Sequence, residues 1–312
     1  MSLPKVAFLT EAGTSRGMGH LIRCYAIYEV FKKRDYTIKF YLDSDIDFSY
    51  KFSDINNFKW DNIPSLQTYD IIFLDSYELD IDTYTDISNS VQLCIFIDDY
   101  ARLDYPKGVL LNFSPNAKNI YNQKKYHTYL LGTKYLPIRE EFKEYKNSKK
   151  LNQIFIMMGG MDLSNLSIKI INSIKSININ KIIVTTNPNI YTKLKEIDNI
   201  NILFQPTDSE LAFAMASSMI AITTASMTLY ELSYLSIPTI IIATSKNQEI
   251  GAKQLIDYNL AYKQIDMTST IWKNEINQTI YRLIDSKITL NNPIDEKGID
   301  RIIDKVLTME FT

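Results

Sequence analysis

Residues 5–34, KVAFLTEAGTSRGMGHLIRCYAIYEVFKKR, decide how the rest of the chain is read. The run 5–10 is apolar enough to be a strand buried on both faces, and 20–34 carries a helical spacing of apolar residues. Between them stand Gly13, Gly17, Gly19 and His20, in a chain with only nine glycines and two histidines among 312 residues. A strand passing into a helix through a glycine-rich turn is the first half of a βαβ unit, and it predicts a parallel sheet. The Gly-x-Gly-x-x-Gly fingerprint of dinucleotide-binding turns fails here. Ile22 stands where the third glycine belongs, although Asp43 lies near the end of the second strand.

The same rhythm continues along the chain. Strand-like runs are expected at 37–42, 70–74, 91–97 and 108–112, with helices at 20–34 and 80–88. It restarts with strands at 153–158, 181–186, 201–204, 219–223 and 239–243, and helices at 163–174, 209–217, 227–234 and 248–258. Two further helical patterns occupy 271–284 and 295–307. The polar stretch 142–150, FKEYKNSKK, reads either as the exposed end of a helix or as a linker. The fresh strand-first unit after it favours the linker. The expectation is an α/β protein of two Rossmann-like domains, 1–145 and 151–312, facing across a cleft, with the last helix free to pack back on the first domain.

Composition excludes several classes. Net charge is −2, 22% of residues are charged and no basic block occurs, which argues against nucleic acid or an anionic membrane surface. No apolar run approaches the roughly 20 residues of a membrane span. The chain enters its first strand almost at once, leaving no secretory leader, and Cys24 and Cys94 have no disulfide or metal spacing. A cytoplasmic protein without metal or cofactor is expected. His127, in KYHTYLL, reads as a partly buried strand or loop residue.

Ligands of open α/β sheets bind beyond the carboxyl ends of strands, so the turns there hold the candidates. His20 falls in the first turn of a helix, where exposed N–H groups and the positive dipole end favour a neutral, proton-accepting imidazole. The alternative is a histidine that only caps or packs. A second turn, FIMMGGMDLSN, places Gly159 and Gly160 at a strand end, with Asp162 or Ser164 as helix cap. A third, AITTASMTLYELSYLSIP, opens a helix near Ser226, Met227 and Thr228, whose N–H groups would suit a diphosphate. Glu231 lies one turn further, placed to reach a ribose diol or simply solvated. The fourth, ATSKNQEIGA, offers the amides of Asn247 and Gln248, for a sugar or for capping.

Taken in order, GMGHLIRC, FIDDY, YLPIREEF, MMGGMDLSNLSI, TTASMTLYEL and SKNQE resemble the nucleotide-sugar hydrolases of pseudaminic acid biosynthesis and the related spore-coat polysaccharide proteins. The resemblance runs roughly to Tyr262. It implies a fold like the GT-B architecture of the peptidoglycan N-acetylglucosaminyltransferase. The implied reaction is hydrolysis of UDP-2,4-diacetamido-2,4,6-trideoxy-β-L-altropyranose, or a close relative, with His20 activating water. It further implies that Ser226–Thr228 hold the diphosphate and Glu231 the ribose. Gly159, Gly160, Asn247 and Gln248 would line pyrophosphate and sugar, with Gly17 and Gly19 against the sugar. Tyr77 matches a tyrosine facing the sugar, Asp98 and Asp99 an acidic pair near the cleft, and Arg139 a segment leading to the hinge. Glu11, Ala12, Gly13 and Arg16 depart from the serine-rich and apolar loop usual in that family, which bears on which sugar is taken. Two other classes fit the same pieces: a GT-B glycosyltransferase and a non-catalytic nucleotide-sugar-binding protein.

Overall fold

The computed structural model describes residues 3–121, 127–159, 162, 164–243, 246–286, 288, 290 and 293–309; of 246–251 only the backbone is described. The chain divides into two compact units. One runs through Ile138 and resumes at Asp295; the other is Arg139–Ile294.

The first unit has seven parallel strands: β1 (Val6–Ala12), β2 (Ile38–Ser44), β3 (Ile55–Phe58), β4 (Ile71–Asp75), β5 (Leu93–Ile97), β6 (Gly108–Asn112) and β7 (His127–Leu131). Their order is β3-β2-β1-β4-β5-β6-β7. The helices are α1 (Gly19–Lys33), α2 (Ile81–Ser90) and the short α3 (Ala117–Ile120). Register explains the core. Phe8 of β1 pairs with Phe40 of β2 and Phe73 of β4, so three rings align under α1. Phe8 stacks on Phe73 at 4.6 Å between centroids and meets Tyr28 and Phe31 of α1 edge-on. All three sheet rings are fully buried, and truncating Phe8 to alanine would cost about 3–5 kcal/mol.

The second unit has six parallel strands: β8 (Gln153–Met157), β9 (Asn180–Thr185), β10 (Ile200–Phe204), β11 (Ile220–Thr223), β12 (Thr239–Ala243) and β13 (Lys263–Asp266). They lie in the order β10-β9-β8-β11-β12-β13. This is the doubly wound 3-2-1-4-5-6 order of a Rossmann sheet. Its helices are α4 (Glu140–Tyr145), α5 (Leu166–Ile174), α6 (Pro188–Leu194), α7 (Asp208–Ala216), α8 (Met227–Tyr234), α9 (Lys246–Asp257) and α10 (Trp272–Ser286). The core here is isoleucine rather than aromatic: Ile154, Ile156, Ile183, Ile222, Ile240 and Ile242 are buried among the helices.

The ends of the chain show why the division falls where it does. Polarity at 142–150 suggested a linker, yet α4 already packs on α7, and Arg139 is ion-paired inside the second unit. Beyond Asp295 the chain forms α11 (Gly298–Leu307), whose Ile299, Ile302, Ile303 and Val306 make one buried stripe. A Cβ on Gly298 would meet the Leu136 carbonyl oxygen at 2.0 Å, so α11 starts directly against that backbone. Arg301 donates to the Lys134 carbonyl at 2.9 Å, and Arg34 at the end of α1 pairs with Asp300. The terminal helix is therefore part of the first unit. Strands β3, β7 and β13 and helices α3 and α6 were absent from the sequence expectation; most are short segments whose alternation is weak. No described helix is long and apolar enough to cross a membrane.

Candidate active site

Each sheet reverses its winding once, between β1 and β4 in the first unit and between β8 and β11 in the second. A crevice forms beyond the carboxyl ends of strands at such a switch point. Thr10 and Asp75 are partners in the β1–β4 register, so the glycine-rich turn after β1 and the residues after Asp75 emerge side by side.

The glycine-rich turn folds on itself. Gly13 and Gly17 exchange backbone hydrogen bonds at 3.0 and 2.8 Å, and Gly17 sits at φ +71°, where a side chain would be strained. Gly13 answers a different need, since its missing Cβ is the place of the Asp45 carboxylate, which also accepts from the Thr14 N–H at 2.9 Å. Arg16 ties the loop down by bridging Asp43 and Glu78, each at 3.3 Å. The turn is thus closed by its own backbone and tied to the residues that end β2 and follow β4, and it delivers Gly19 and His20 to the start of α1.

His20 is 7% exposed, and its Nδ1 lies 2.7 Å from Oδ1 of the fully buried Asp75. Arg23, one helical turn on, spans the same carboxylate, with Nε to Oδ2 and Nη2 to Oδ1 both at 2.6 Å. Its Nη1 reaches Asp99 at 2.8 and 2.9 Å. The Tyr77 hydroxyl donates to Asp99, and the Tyr77 ring stands edge-on to the imidazole at 4.4 Å. Burial alone would raise the Asp75 carboxyl, but the Arg23 guanidinium and His20 outweigh it and hold the group well below the usual carboxylate range. Burial likewise disfavours the Arg23 charge, yet Asp75 and Asp99 drive its pKa upward. Burial, then the Asp99 charge, push the Tyr77 phenol far up, so it stays a hydrogen-bond donor.

The neighbouring acids divide by role. Asp98 is 1% exposed and accepts from the Ala101 N–H at 2.6 Å, the Arg102 N–H at 3.3 Å, the Tyr105 hydroxyl at 3.0 Å and the Tyr121 hydroxyl. Those four donors make it the organiser of the loop after β5, whereas Asp99 faces the histidine network. Glu11, also buried, accepts from the Tyr77 N–H at 2.8 Å, Trp60 Nε1 at 3.0 Å and the Ser76 hydroxyl. It pins the turn that carries Tyr77. Asp75 and Arg23 had no assigned role in the sequence reading. The signals were present: Arg23 is three residues from His20 on one helix face, and Asp75 ends a buried strand just before Tyr77.

In the second unit, the Thr223 hydroxyl donates to the Met157 carbonyl at 2.7 Å, and the Thr228 hydroxyl lies 3.8 Å from the Met157 sulfur. The turns after β8 and β11 are therefore neighbours. Gly159 takes φ +75° in the first of them. Asp162, at φ +41°, accepts from the N–H groups of Leu166 and Ser167 at 2.7 and 2.9 Å, so a carboxylate occupies the start of α5. Ser226, Met227 and Thr228 open α8, where no side chain caps the helix and no acid lies in the first turn. Glu231 is one turn on, as expected, but it is 1% exposed and Arg139 bonds its Oε1 at 2.7 Å. That geometry makes it an ion-pair partner inside the unit rather than a solvent-facing acceptor. Gly160 and the side chains of Asn247 and Gln248 lie outside the described residues; the backbone of the latter two is in the first turn of α9. Among the described residues no group of three or more His, Cys, Asp or Glu side chains is arranged to hold a metal ion.

No protein-family model matches the chain. Among solved structures, it superposes on MurG of Acinetobacter baumannii with a TM-score of 0.62, covering 98% of this chain and 100% of that one at 14% identity. The UDP-GlcNAc 2-epimerase of Methanocaldococcus jannaschii, solved in complex with UDP-GlcNAc and UDP, gives 0.62 as well, with the same coverage of both chains at 12% identity. The chain has the GT-B fold. In sequence it is 26% identical over 254 residues to the Helicobacter pylori protein named pseudaminic acid cytidylyltransferase and UDP-2,4-diacetamido-2,4,6-trideoxy-beta-L-altropyranose hydrolase. That match covers 80% of this chain and 46% of the relative. The chain spans about half the length of the curated relatives it matches.

Proposed function

We propose that this GT-B chain is a nucleotide-sugar hydrolase, cleaving an activated amino sugar at the anomeric C–O bond to free sugar and nucleoside diphosphate. The observation that carries the reading is the His20–Asp75 contact at 2.7 Å at the switch point of the first sheet. It is the geometry of an oriented general base. In this scheme Nε2 of His20 takes a proton from water as the water oxygen bonds to the anomeric carbon. The C–O bond to the diphosphate breaks, and its electron pair leaves with the nucleoside diphosphate. Tyr77, Asp99, Gly17 and Gly19 contribute the sugar side.

The diphosphate is assigned to the second unit, at the start of α8. Ser226, Met227 and Thr228 bring N–H groups there with no competing acid, whereas Asp162 already occupies the start of α5. Oriented N–H groups stabilise a leaving diphosphate without reorganisation. The Helicobacter pylori relative supports the finer reading, in which the sugar is UDP-2,4-diacetamido-2,4,6-trideoxy-β-L-altropyranose or a close relative. The UDP complex of the epimerase supports a uridine nucleotide. The test is a panel of UDP-sugars incubated with the protein and assayed for UDP and free sugar. Release of free sugar without an acceptor supports hydrolysis. Turnover only with an added acceptor means a transferase, and no turnover with tight binding means a binding protein.

A further inference from the structure

Two groups compete for Nδ1 of His20, Asp75 Oδ1 at 2.7 Å and Arg23 Nη2 at 3.0 Å. They demand opposite protonation of that nitrogen, because one accepts a hydrogen bond and the other donates. Arg23 Nη2 is already 2.6 Å from the same Oδ1, and Nε is 2.6 Å from Oδ2. Were Nδ1 unprotonated, its lone pair would face a carboxylate oxygen at hydrogen-bond distance inside a fully buried site, which is repulsive. With Nδ1 protonated, the shorter contact joins a donor to an acceptor, and Arg23 Nη2, whose approach to Nδ1 at 3.0 Å is then no hydrogen bond, keeps Asp75 Oδ1 as its acceptor at 2.6 Å. The remaining groups around this cluster agree: the Cys24 thiol donates to Oδ2 at 3.4 Å, the Arg23 guanidinium lies over the Phe113 ring at 5.5 Å, and Tyr77 and Asp99 close the far side.

We propose that Asp75 and Arg23 are a positioning pair that locks His20 as the Nδ1–H tautomer, leaving Nε2 as its proton-accepting atom. This rests on the reading of His20 as the base, and it adds how the chain sets that base. Asp75 chooses the tautomer. Arg23 holds Asp75 in register and, through Asp99, connects it to the tyrosine that fixes the imidazole plane. A lysine at position 23 has one ammonium, which cannot satisfy both oxygens of Asp75 and also reach Asp99.

The chain's two histidines make the lock directly observable. In ¹⁵N-labelled wild-type protein at neutral pH, long-range ¹H–¹⁵N correlation distinguishes a protonated from an unprotonated ring nitrogen, and a His127→Gln variant assigns the signals. The expected result for His20 is a protonated Nδ1 and an unprotonated Nε2. Finding the Nε2–H tautomer in the wild-type protein overturns the proposal, whether or not any variant folds. Arg23→Lys, checked for a native circular dichroism spectrum, should give a mixture of tautomers. It should also lower kcat by about 10-fold or more with KM unchanged, as when an interaction made only in the transition state is weakened. A folded Arg23→Lys protein with wild-type tautomer and kcat also overturns it. The tautomer is read without substrate, so a locked His20 in a protein that hydrolyses no UDP-sugar refutes the hydrolase reading and leaves the lock standing.

Discussion

Each unit buries one arginine between two carboxylates, and the two clusters invite comparison. Arg23 is 5% exposed and joins Asp75 to Asp99; Arg139 is 6% exposed and joins Glu231 to Asp208. Each guanidinium also lies over a phenylalanine, at 5.5 Å from Phe113 and 4.8 Å from Phe142. For both, burial opposes the charge and the neighbouring acids more than compensate. The difference is what else touches the carboxylates. Asp75 also holds an imidazole at a strand-end crevice, and Asp99 is part-exposed under a tyrosine. Glu231 and Asp208 instead connect α8 and the start of α7 to the segment leading into α4. A buried ion-pair cluster therefore does not by itself mark a reactive site. What sets the first cluster apart is the imidazole on its Asp75 carboxylate.

The sharpest way to break that contrast is to remove one acid of the second cluster. Glu231→Ala would take from Arg139 the partner at 2.7 Å, and loss of a partner from a buried pair typically costs about 3–5 kcal/mol. Urea unfolding should show it as a lower midpoint. A Glu231→Gln protein of unchanged stability that no longer binds UDP in a calorimetric titration would give this residue the ribose role.

His20→Asn tests the first cluster. Removing a positioned base should slow UDP release by about 100-fold or more, while the melting temperature stays close to wild type. Near-normal turnover would make the histidine a packing residue and erase the distinction between the two clusters.

Acid should act on the first cluster through Asp75. Its pKa lies below that of an unfolded aspartate, so the folded state binds fewer protons as pH falls through the ordinary carboxylate range. The stabilisation is complete above about pH 5 and declines below about pH 4 as the unfolded chain takes up protons first. Melting temperatures from pH 7 to pH 3 should fall in that window, and a flat profile would mean that Asp75 is not held by Arg23. The smallest effect belongs to Tyr77→Phe, which keeps the ring against His20 and removes only the hydroxyl donated to Asp99. A stability loss of about 1 kcal/mol is expected, with kcat changed by only a few-fold; a loss as large as that of His20→Asn would give the hydroxyl a chemical role.

Much of the α/β plan is visible in local pattern. Strand-to-helix alternation from residue 5 onward gives parallel sheets because a buried apolar run followed by an amphipathic helix packs only as a right-handed crossover. Strand β6 and helix α8 fall where periodicity puts them, whereas β3 and β7 are short edge strands whose composition carries little alternation. The place of His20 in the first turn of α1, after a glycine-rich turn, was legible as well.

What the tertiary structure decided is partnership. Asp75 is 55 residues from His20 and becomes its partner only because β1 and β4 are neighbours in the sheet. Arg139 meets Glu231 across 92 residues, an ion pair that chain order alone does not show. A sequence written in order shows which groups can ionise, since that is a property of each side chain. It does not show which oppositely charged groups share a low-dielectric crevice, because that depends on strand order, and strand order is set by packing along the whole chain.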